Sequence, residues 1–417
     1  MTVITDPRAS SADRMAAAVR IAERVLSARA GITVTLADPV DLGGSGRTEV
    51  VRVRAPQNPI SQDRSLVIKV LPSSDDLPGA AQTRESAAGR AYDDLSFARE
   101  LASYKYATAL PIASRPGPHL IAYDAAERVI VLSDLGTGRS MTDLLGSADR
   151  SATEHAVSAW GQALGRMHAA TLGGEGDFAA LLRQNSGRDT TDVLAHQARS
   201  AVDVCGQVFD EYLSSAAPQV IVDLLDEACA LFTDGDHRAF SPSDVGPENI
   251  MINADGVQFM DYEWGGFRDP SLDVAYALVT LGPHLSSARA VDRGNLEAAL
   301  IEAWRSEVRA IWPALQRDAE LHRRVLTARA IWVWLSTVWM LPVETPGTGE
   351  SATDAAATAD QLAEETMSHG LALHTTSARQ VVGRWRDLRE AAILAGRADV
   401  AAHADDVAGA LESAWLR

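Results

Sequence analysis

The feature that most constrains this 417-residue chain is a short turn between two apolar runs: Ile250-Met251-Ile252, then Asn253-Ala254-Asp255-Gly256, then Val257-Gln258-Phe259-Met260. An Asp-Gly pair in that setting predicts a β-hairpin, because glycine accepts the positive φ that tight turns demand. Asn249 and Asp261 flank it, each six residues from Asp255. If the strands fold back at Asp255, these two residues face each other with Cα atoms roughly 4.5–5.5 Å apart and side chains on one face; a bulge in the turn shifts the register by one.

An amide oxygen and a carboxylate so placed form half a site for a hard divalent cation, with phosphate oxygens and water completing it. Asp244 lies five residues before Asn249, in a loop that also carries Gly246 and Pro247. From there a carboxylate reaches a substrate hydroxyl just beyond the cation. A positioned hydroxyl, a base and metal-neutralised charge are the parts that phosphoryl transfer requires. Taken singly, Asp244 and Asn249 are ordinary turn formers and Asp261 an ordinary strand-end residue. The spacing, the hairpin and the run Asp261-Tyr262-Glu263 together favour a site.

Residues 11–30 read as an amphipathic helix, with Met15, Val19, Ile21, Val25 and Leu26 near one face. Residues 32–36, 50–54 and 65–71 are short β-branched runs punctuated by Gly, Pro and Asp, so strands are predicted there. A helix is expected around 97–104, and further strands at 119–123 and 129–132. From Met141 onward the pattern is helical except for the hairpin. Residues 344–358, rich in Thr, Gly and Ala, read as a mobile loop, and 362–417 as two or three amphipathic helices.

Composition removes several classes. With a formal net charge of -18, the surface repels nucleic-acid phosphates and anionic membranes, so neither partner is expected, while a cationic small molecule is tolerated. The two cysteines, Cys205 and Cys229, make neither a disulfide framework nor a zinc site and suit a reducing, cytoplasmic setting. The polar N-terminus does not read as a signal peptide, and the apolar run 330–335 is too short to span a bilayer. No His-Glu-x-x-His or Gly-x-Ser-x-Gly occurs, which argues against metallohydrolase and serine-hydrolase chemistry.

Residues 241–263 resemble the catalytic and metal-binding motifs of the aminoglycoside phosphotransferase-like family, relatives of choline and protein kinases. The family's usual form is His-Gly-Asp, four residues, Asn, a hairpin, then Asp-Phe/Tyr-Glu. The resemblance runs from about residue 30 to 290 and includes Asp269-Pro270-Ser271-Leu272-Asp273. It implies an α+β, protein-kinase-like bilobal fold with a small antiparallel-sheet N-lobe and a large, mainly helical C-lobe. The expected divisions are an N-terminal helix (1–30), a nucleotide-binding lobe (31–136) with its hinge at 132–136, and a helical lobe (137–417). The last carries the catalytic loop (241–263) and a C-terminal helical extension (290–417).

By the same resemblance Asp244 is the catalytic base, Asn249 and Asp261 hold Mg²⁺, and Glu263 and Trp264 lie on the acceptor side. Asp273 braces the catalytic loop, and His168 packs as a satisfied core histidine. Gly43, Gly44, Ser45 and Gly46 would close over nucleotide phosphates, which glycine permits by lacking a Cβ. Lys69 resembles the kinase lysine that holds the α- and β-phosphates, with Glu100 as partner and Glu85 as rival. The backbone of Ser133, Asp134 and Leu135 would read the adenine edge. The implied activity is ATP/Mg²⁺-dependent phosphate transfer to a small-molecule hydroxyl, with GTP as an alternative nucleotide, by a monomer or homodimer. Pro242-Ser243 replaces the family's His-Gly, so a weak or silent nucleotide-binding protein is the alternative. A protein kinase is disfavoured, because Ser243 replaces the Arg before the aspartate and little chain separates Asp261 from Asp273 for an activation segment.

Overall fold

The computed structural model describes residues 11–44, 48–57, 59–71, 84–186, 190–341 and 377–416. Ser45, Gly46, the side chain of Glu85 and the loop 344–358 lie outside what is described. The chain divides into two compact units, residues 1–138 with 177–190, and residues 139–176 with 191–417.

In the first unit, helix α1 (Ser11–Ala30) precedes strands β1 (Ala37–Gly43), β2 (Glu49–Arg54) and β3 (Ser65–Val70). Helix α2 (Arg84–Ala109) and strands β4 (Leu120–Asp124) and β5 (Val129–Ser133) follow. The strands form one antiparallel sheet in the order β1-β2-β3-β5-β4. Ala18, Ile21, Ala22 and Leu26 of α1 join Val51, Val53, Leu66 and Ile68 of the sheet in one buried cluster. Each large aliphatic side chain buried there contributes about 1.5–3 kcal/mol. Because side chains alternate along a strand, the cluster that takes Leu66 and Ile68 turns Lys69 to the opposite face.

The first strand begins at Ala37, not at residue 32 as β-propensity predicts. The reason is that helix side chains take the backbone donors of that run. Ser27 Oγ accepts from Val34 N at 2.8 Å and Glu23 Oε1 from Leu36 N at 2.8 Å. Donors satisfied by α1 are not offered to a ladder.

The second unit opens with β6 (Arg139–Ser140), α3 (Met141–Gly146), α4 (Arg150–Thr171) and the start of α5 (Glu175–Ser186). Most of α5 belongs to the first unit, where Phe178 packs edge-on against Tyr106 and Lys105 Nζ donates to Asn185 Oδ1 at 2.8 Å. Helices α6 (Val193–Asp203), α7 (Cys205–Leu213) and α8 (Gln219–Ala230) lead to β7 (Ala239–Ser241). Then come β8 (Ile250–Asn253), β9 (Gly256–Phe259), β10 (Gly266–Arg268) and α9 (Ser271–Leu281). Helices α10 (Ser287–Ala290), α11 (Arg293–Val308), α12 (Asp318–Val338), α13 (Ala378–Leu394) and α14 (Ala398–Trp415) finish the described chain.

Every residue of α9 is buried. Trp332 Nε1 donates to Leu272 O at 2.9 Å and Trp385 Nε1 to Thr337 Oγ1 at 2.9 Å, so these two tryptophans bury their rings without orphaning the indole donors. Trp304, Trp332, Trp334 and Trp385 are core, whereas Trp339 is half-buried. The expected α+β class holds: one unit is built on a small antiparallel sheet and the other is mainly helical. Two short sheets, β6-β8-β9 and β7-β10, interrupt the helices of the second unit. Only the β8–β9 pair has a sequence signal, since two- and three-residue strands are too short to show a period. Among the described residues no helix is long and apolar enough to cross a membrane.

Candidate active site

The hairpin forms, with its register one residue from the symmetric placement about Asp255. Asn253 pairs with Gly256 and Ile250 with Phe259. Asn253 Oδ1 accepts from Asp255 N at 2.9 Å and Gly256 takes φ +103°, so the positive-φ residue sits after the two-residue turn and enters the ladder. Asn249 therefore faces Met260, whose N–H donates to Asn249 O at 2.9 Å, and not Asp261. Asp261 follows in the left-handed region at φ 55°. That conformation costs a non-glycine residue about 1–3 kcal/mol and is kept where surroundings enforce it.

Asp244 follows a second such residue. Ser243 has φ 69°, and Asp244 N closes a three-residue turn on Pro242 O at 3.0 Å. The turn is held from three sides. Arg268 Nη1 donates to the Ser243 hydroxyl and, at 2.9 Å, to Trp264 O. Ser243 Oγ donates to Trp264 O at 3.2 Å and lies 3.0 Å from Ser241 Oγ. Arg268, 1% exposed, is paired by its other nitrogen with both carboxylate oxygens of Asp192, at 2.9 and 2.8 Å. A Cβ at Gly266 would stand 3.0 Å from that guanidinium, which is why glycine occupies the position.

A buried chain lies beneath. Trp304 Nε1 donates to His168 Nδ1 at 2.9 Å, which leaves the His168 proton on Nε2, 3.1 Å from Asp273 Oδ2. Asp273 Oδ1 accepts from Ser241 Oγ at 2.6 Å. Asp273 thus holds the strand that leads into Asp244, and His168 is wholly buried among partners.

Asp244 is 8% exposed and accepts from the Tyr276 phenol at 2.5 Å on Oδ1. Burial pushes its pKa up to about 7, the Tyr276 hydrogen bond acts against that, and the charges of Glu263, Glu248 and Asp261 push it further up. Asn249 Nδ2 donates to Asp244 O at 3.1 Å, which commits the amide nitrogen to the loop and leaves Oδ1 as the end offered outward. Trp264 is buried and gives its carbonyl to Arg268; Glu263 is half-buried, with its charge felt at Asp244. Glu248 pairs with His284 Nε2 at 2.8 Å. Arg268, Asp192 and Tyr276 carry no motif, and the sequence reading missed them.

In the first unit, Lys69 Nζ lies 2.6 Å from Glu100 Oε1, with both side chains buried. Gly43 has φ +83°, and a Cβ on Gly44 would fall 1.9 Å from Thr48 O, so Gly44 has no room for a side chain. Ser133 exchanges two hydrogen bonds with His119, each 3.0 Å. Asp134 is committed to the sheet: its carboxylate takes Ser65 Oγ at 2.6 Å, Arg52 Nε at 3.0 Å and Gly136 N at 3.0 Å. Leu135 lies between the residues of that Asp134–Gly136 turn.

No protein-family model and no curated protein matches this chain. Solved structures do. It is similar to a choline/ethanolamine kinase family protein from Mesorhizobium loti at 17% identity and a TM-score of 0.40, over 88% of this chain and 99% of that one. It is similar to a choline kinase from Cryptosporidium parvum Iowa II at 10% identity and a TM-score of 0.44, over 92% and 98%. It is also similar to a thermostable mutant of aminoglycoside phosphotransferase APH(4)-Ia at 16% identity and a TM-score of 0.39, over 82% and 98%. All three are named as small-molecule kinases. At these scores the chemistry rests on this chain's own atoms.

Proposed function

We propose that the chain is a phosphotransferase that moves the γ-phosphate of ATP, with Mg²⁺, to a hydroxyl of a small molecule such as an aminoglycoside-like antibiotic, an amino sugar or a related metabolite. The observation that carries this is Asp244: a buried carboxylate with its pKa raised to about 7, on the turn that also pins Asn249. A base poised near neutrality suits proton removal from an alcohol as its oxygen attacks phosphorus. Oδ1 is held by Tyr276, so Oδ2 is the oxygen that takes the proton.

Asn249 Oδ1 and the Asp261 carboxylate are an oxygen-only donor set, which fits a hard cation. Mg²⁺ bound there would neutralise phosphate charge, and these two residues would orient it. Glu263 and Trp264 would border the acceptor. In the first unit Lys69, oriented by Glu100, would hold the α- and β-phosphates, Gly43, Gly44, Ser45 and Gly46 would close over them, and the backbone of Ser133, Asp134 and Leu135 would meet the base. GTP is the alternative nucleotide, and a silent nucleotide-binding protein the alternative function. The test is a panel of hydroxylated antibiotics and metabolites with ATP and Mg²⁺, scored by phosphate transfer in mass spectra. Transfer that Asp244→Ala abolishes while nucleotide binding persists supports the reading; nucleotide binding with no transfer in either protein supports the silent alternative.

A further inference from the structure

Resting on that reading, we infer that Tyr276 and Arg384 form a positioning chain that fixes the Asp244 carboxylate, which makes the C-terminal helix α13 part of the catalytic unit. Tyr276 stands on α9, where every side chain is buried, and its ring meets the edge of Trp332 at a centroid separation of 5.0 Å and 77°. The ring cannot turn without disturbing that packing, so the phenol oxygen has a fixed address, 2.5 Å from Asp244 Oδ1. A carboxylate held at one oxygen loses free rotation and presents the other in a single direction. A near-attack geometry needs such a fixed base.

Arg384 comes from α13, just over a hundred residues after Tyr276 in the chain. It is 6% exposed, and its Nε donates to Val279 O, on the same helix as Tyr276, at 3.3 Å. Through Val279 the guanidinium ties α13 to the helix that carries Tyr276, three residues earlier, and so helps hold the phenol where it meets Asp244. Two further contacts hold α13 in place. Asp387, one turn on, takes Arg293 Nη1 at 2.6 Å, and Trp385 bonds Thr337.

The experiment is a double-mutant cycle on kcat and KM with Tyr276→Phe, Arg384→Met and the pair, using whichever acceptor the panel identifies. Phe keeps the ring on Trp332 and removes only the hydroxyl. The expected result is a kcat loss of about 10- to 100-fold for Tyr276→Phe with KM for ATP within about twofold, of the size expected when a positioned group is let loose. Arg384→Met should show a smaller loss of the same kind, and the double variant should match Tyr276→Phe alone. Wild-type kcat in Tyr276→Phe overturns the inference. So do losses that multiply in the double variant, because Arg384 then acts by another route. A crystal structure of Arg384→Met tests the chain without turnover: the phenol should leave Asp244 Oδ1, and an unchanged 2.5 Å contact overturns it. Failure of the phosphotransferase reading itself is told apart by wild-type protein that transfers no phosphate to any acceptor.

Discussion

Asp192 grips the Arg268 guanidinium with both carboxylate oxygens, and the same guanidinium holds the hydroxyl of Ser243, the left-handed residue before Asp244. Asp192 also caps helix α6, accepting from Ala195 N at 3.2 Å. One carboxylate therefore secures a helix terminus and, through Arg268, the turn that leads into Asp244. Asp192→Ala leaves a buried guanidinium without its ion partner, so it is expected to cost about 3–5 kcal/mol, the range for breaking a buried pair. Denaturant unfolding checks this. A loss below about 1 kcal/mol, which a helix cap alone accounts for, would contradict the clamp.

The Lys69–Glu100 pair separates stability from chemistry. Lys69→Met removes the cation beside a buried glutamate and should destabilise by about 3–5 kcal/mol, whereas Lys69→Met with Glu100→Met should recover much of that, since an apolar pair can replace a buried ion pair. Nucleotide affinity should fall in both. If the double variant binds ATP as the wild type does, Lys69 does not hold phosphate. Thermal melts and calorimetry with ATP read the two effects.

Asp244 gives a pH dependence with a definite sign. Its folded pKa, about 7, lies above the ordinary carboxylate value near 4, so between those pH values the folded state holds a proton that the unfolded chain has released. Stability should fall as pH rises from about 4 to about 7 and level off above, by on the order of a few kcal/mol from this group. Asp244→Asn should flatten that slope and be the more stable protein at pH 8. Activity should run the other way, rising through about pH 7 as the base deprotonates. Parallel slopes for wild type and Asp244→Asn in pH-dependent unfolding would contradict the burial account.

His168 provides a structural check. With Trp304 donating to Nδ1, the imidazole proton belongs on Nε2, facing Asp273. Nitrogen-15 NMR should show that tautomer in the wild type. Trp304→Phe leaves Nδ1 without its donor and should cost about 1–3 kcal/mol on top of the lost packing. Observation of the Nδ1–H tautomer in the wild type would reverse the direction assigned to the chain.

Much of this was legible locally. The spacing of Asp244, Asn249 and Asp261 is visible because all three lie within one loop and one hairpin. The hairpin's register was not, because placing Gly256 inside the ladder shifts the count by one while leaving the composition unchanged. The start of β1 was missed for a different reason: Ser27 and Glu23, residues of a helix, satisfy the backbone that propensity assigns to a strand. The pairs that hold the site, Asp192 with Arg268 and Tyr276 with Asp244, lie 76 and 32 residues apart, and no period or motif links them. Ser243 stands where the motif it resembles has glycine, and only the structure explains how a serine holds that conformation: Arg268 donates to its hydroxyl, which donates in turn to Trp264 O.

Asp244 as the base of a phosphotransferase is a role that one measurement reads directly. Its most direct test is mass-spectrometric detection of phosphate transfer from ATP with Mg²⁺ to a panel of hydroxylated small molecules, run side by side with wild type and Asp244→Asn. The wild type should yield a phosphorylated acceptor, and Asp244→Asn a rate lower by about 10²–10⁴-fold at equal nucleotide affinity. Equal transfer by the two proteins would contradict it.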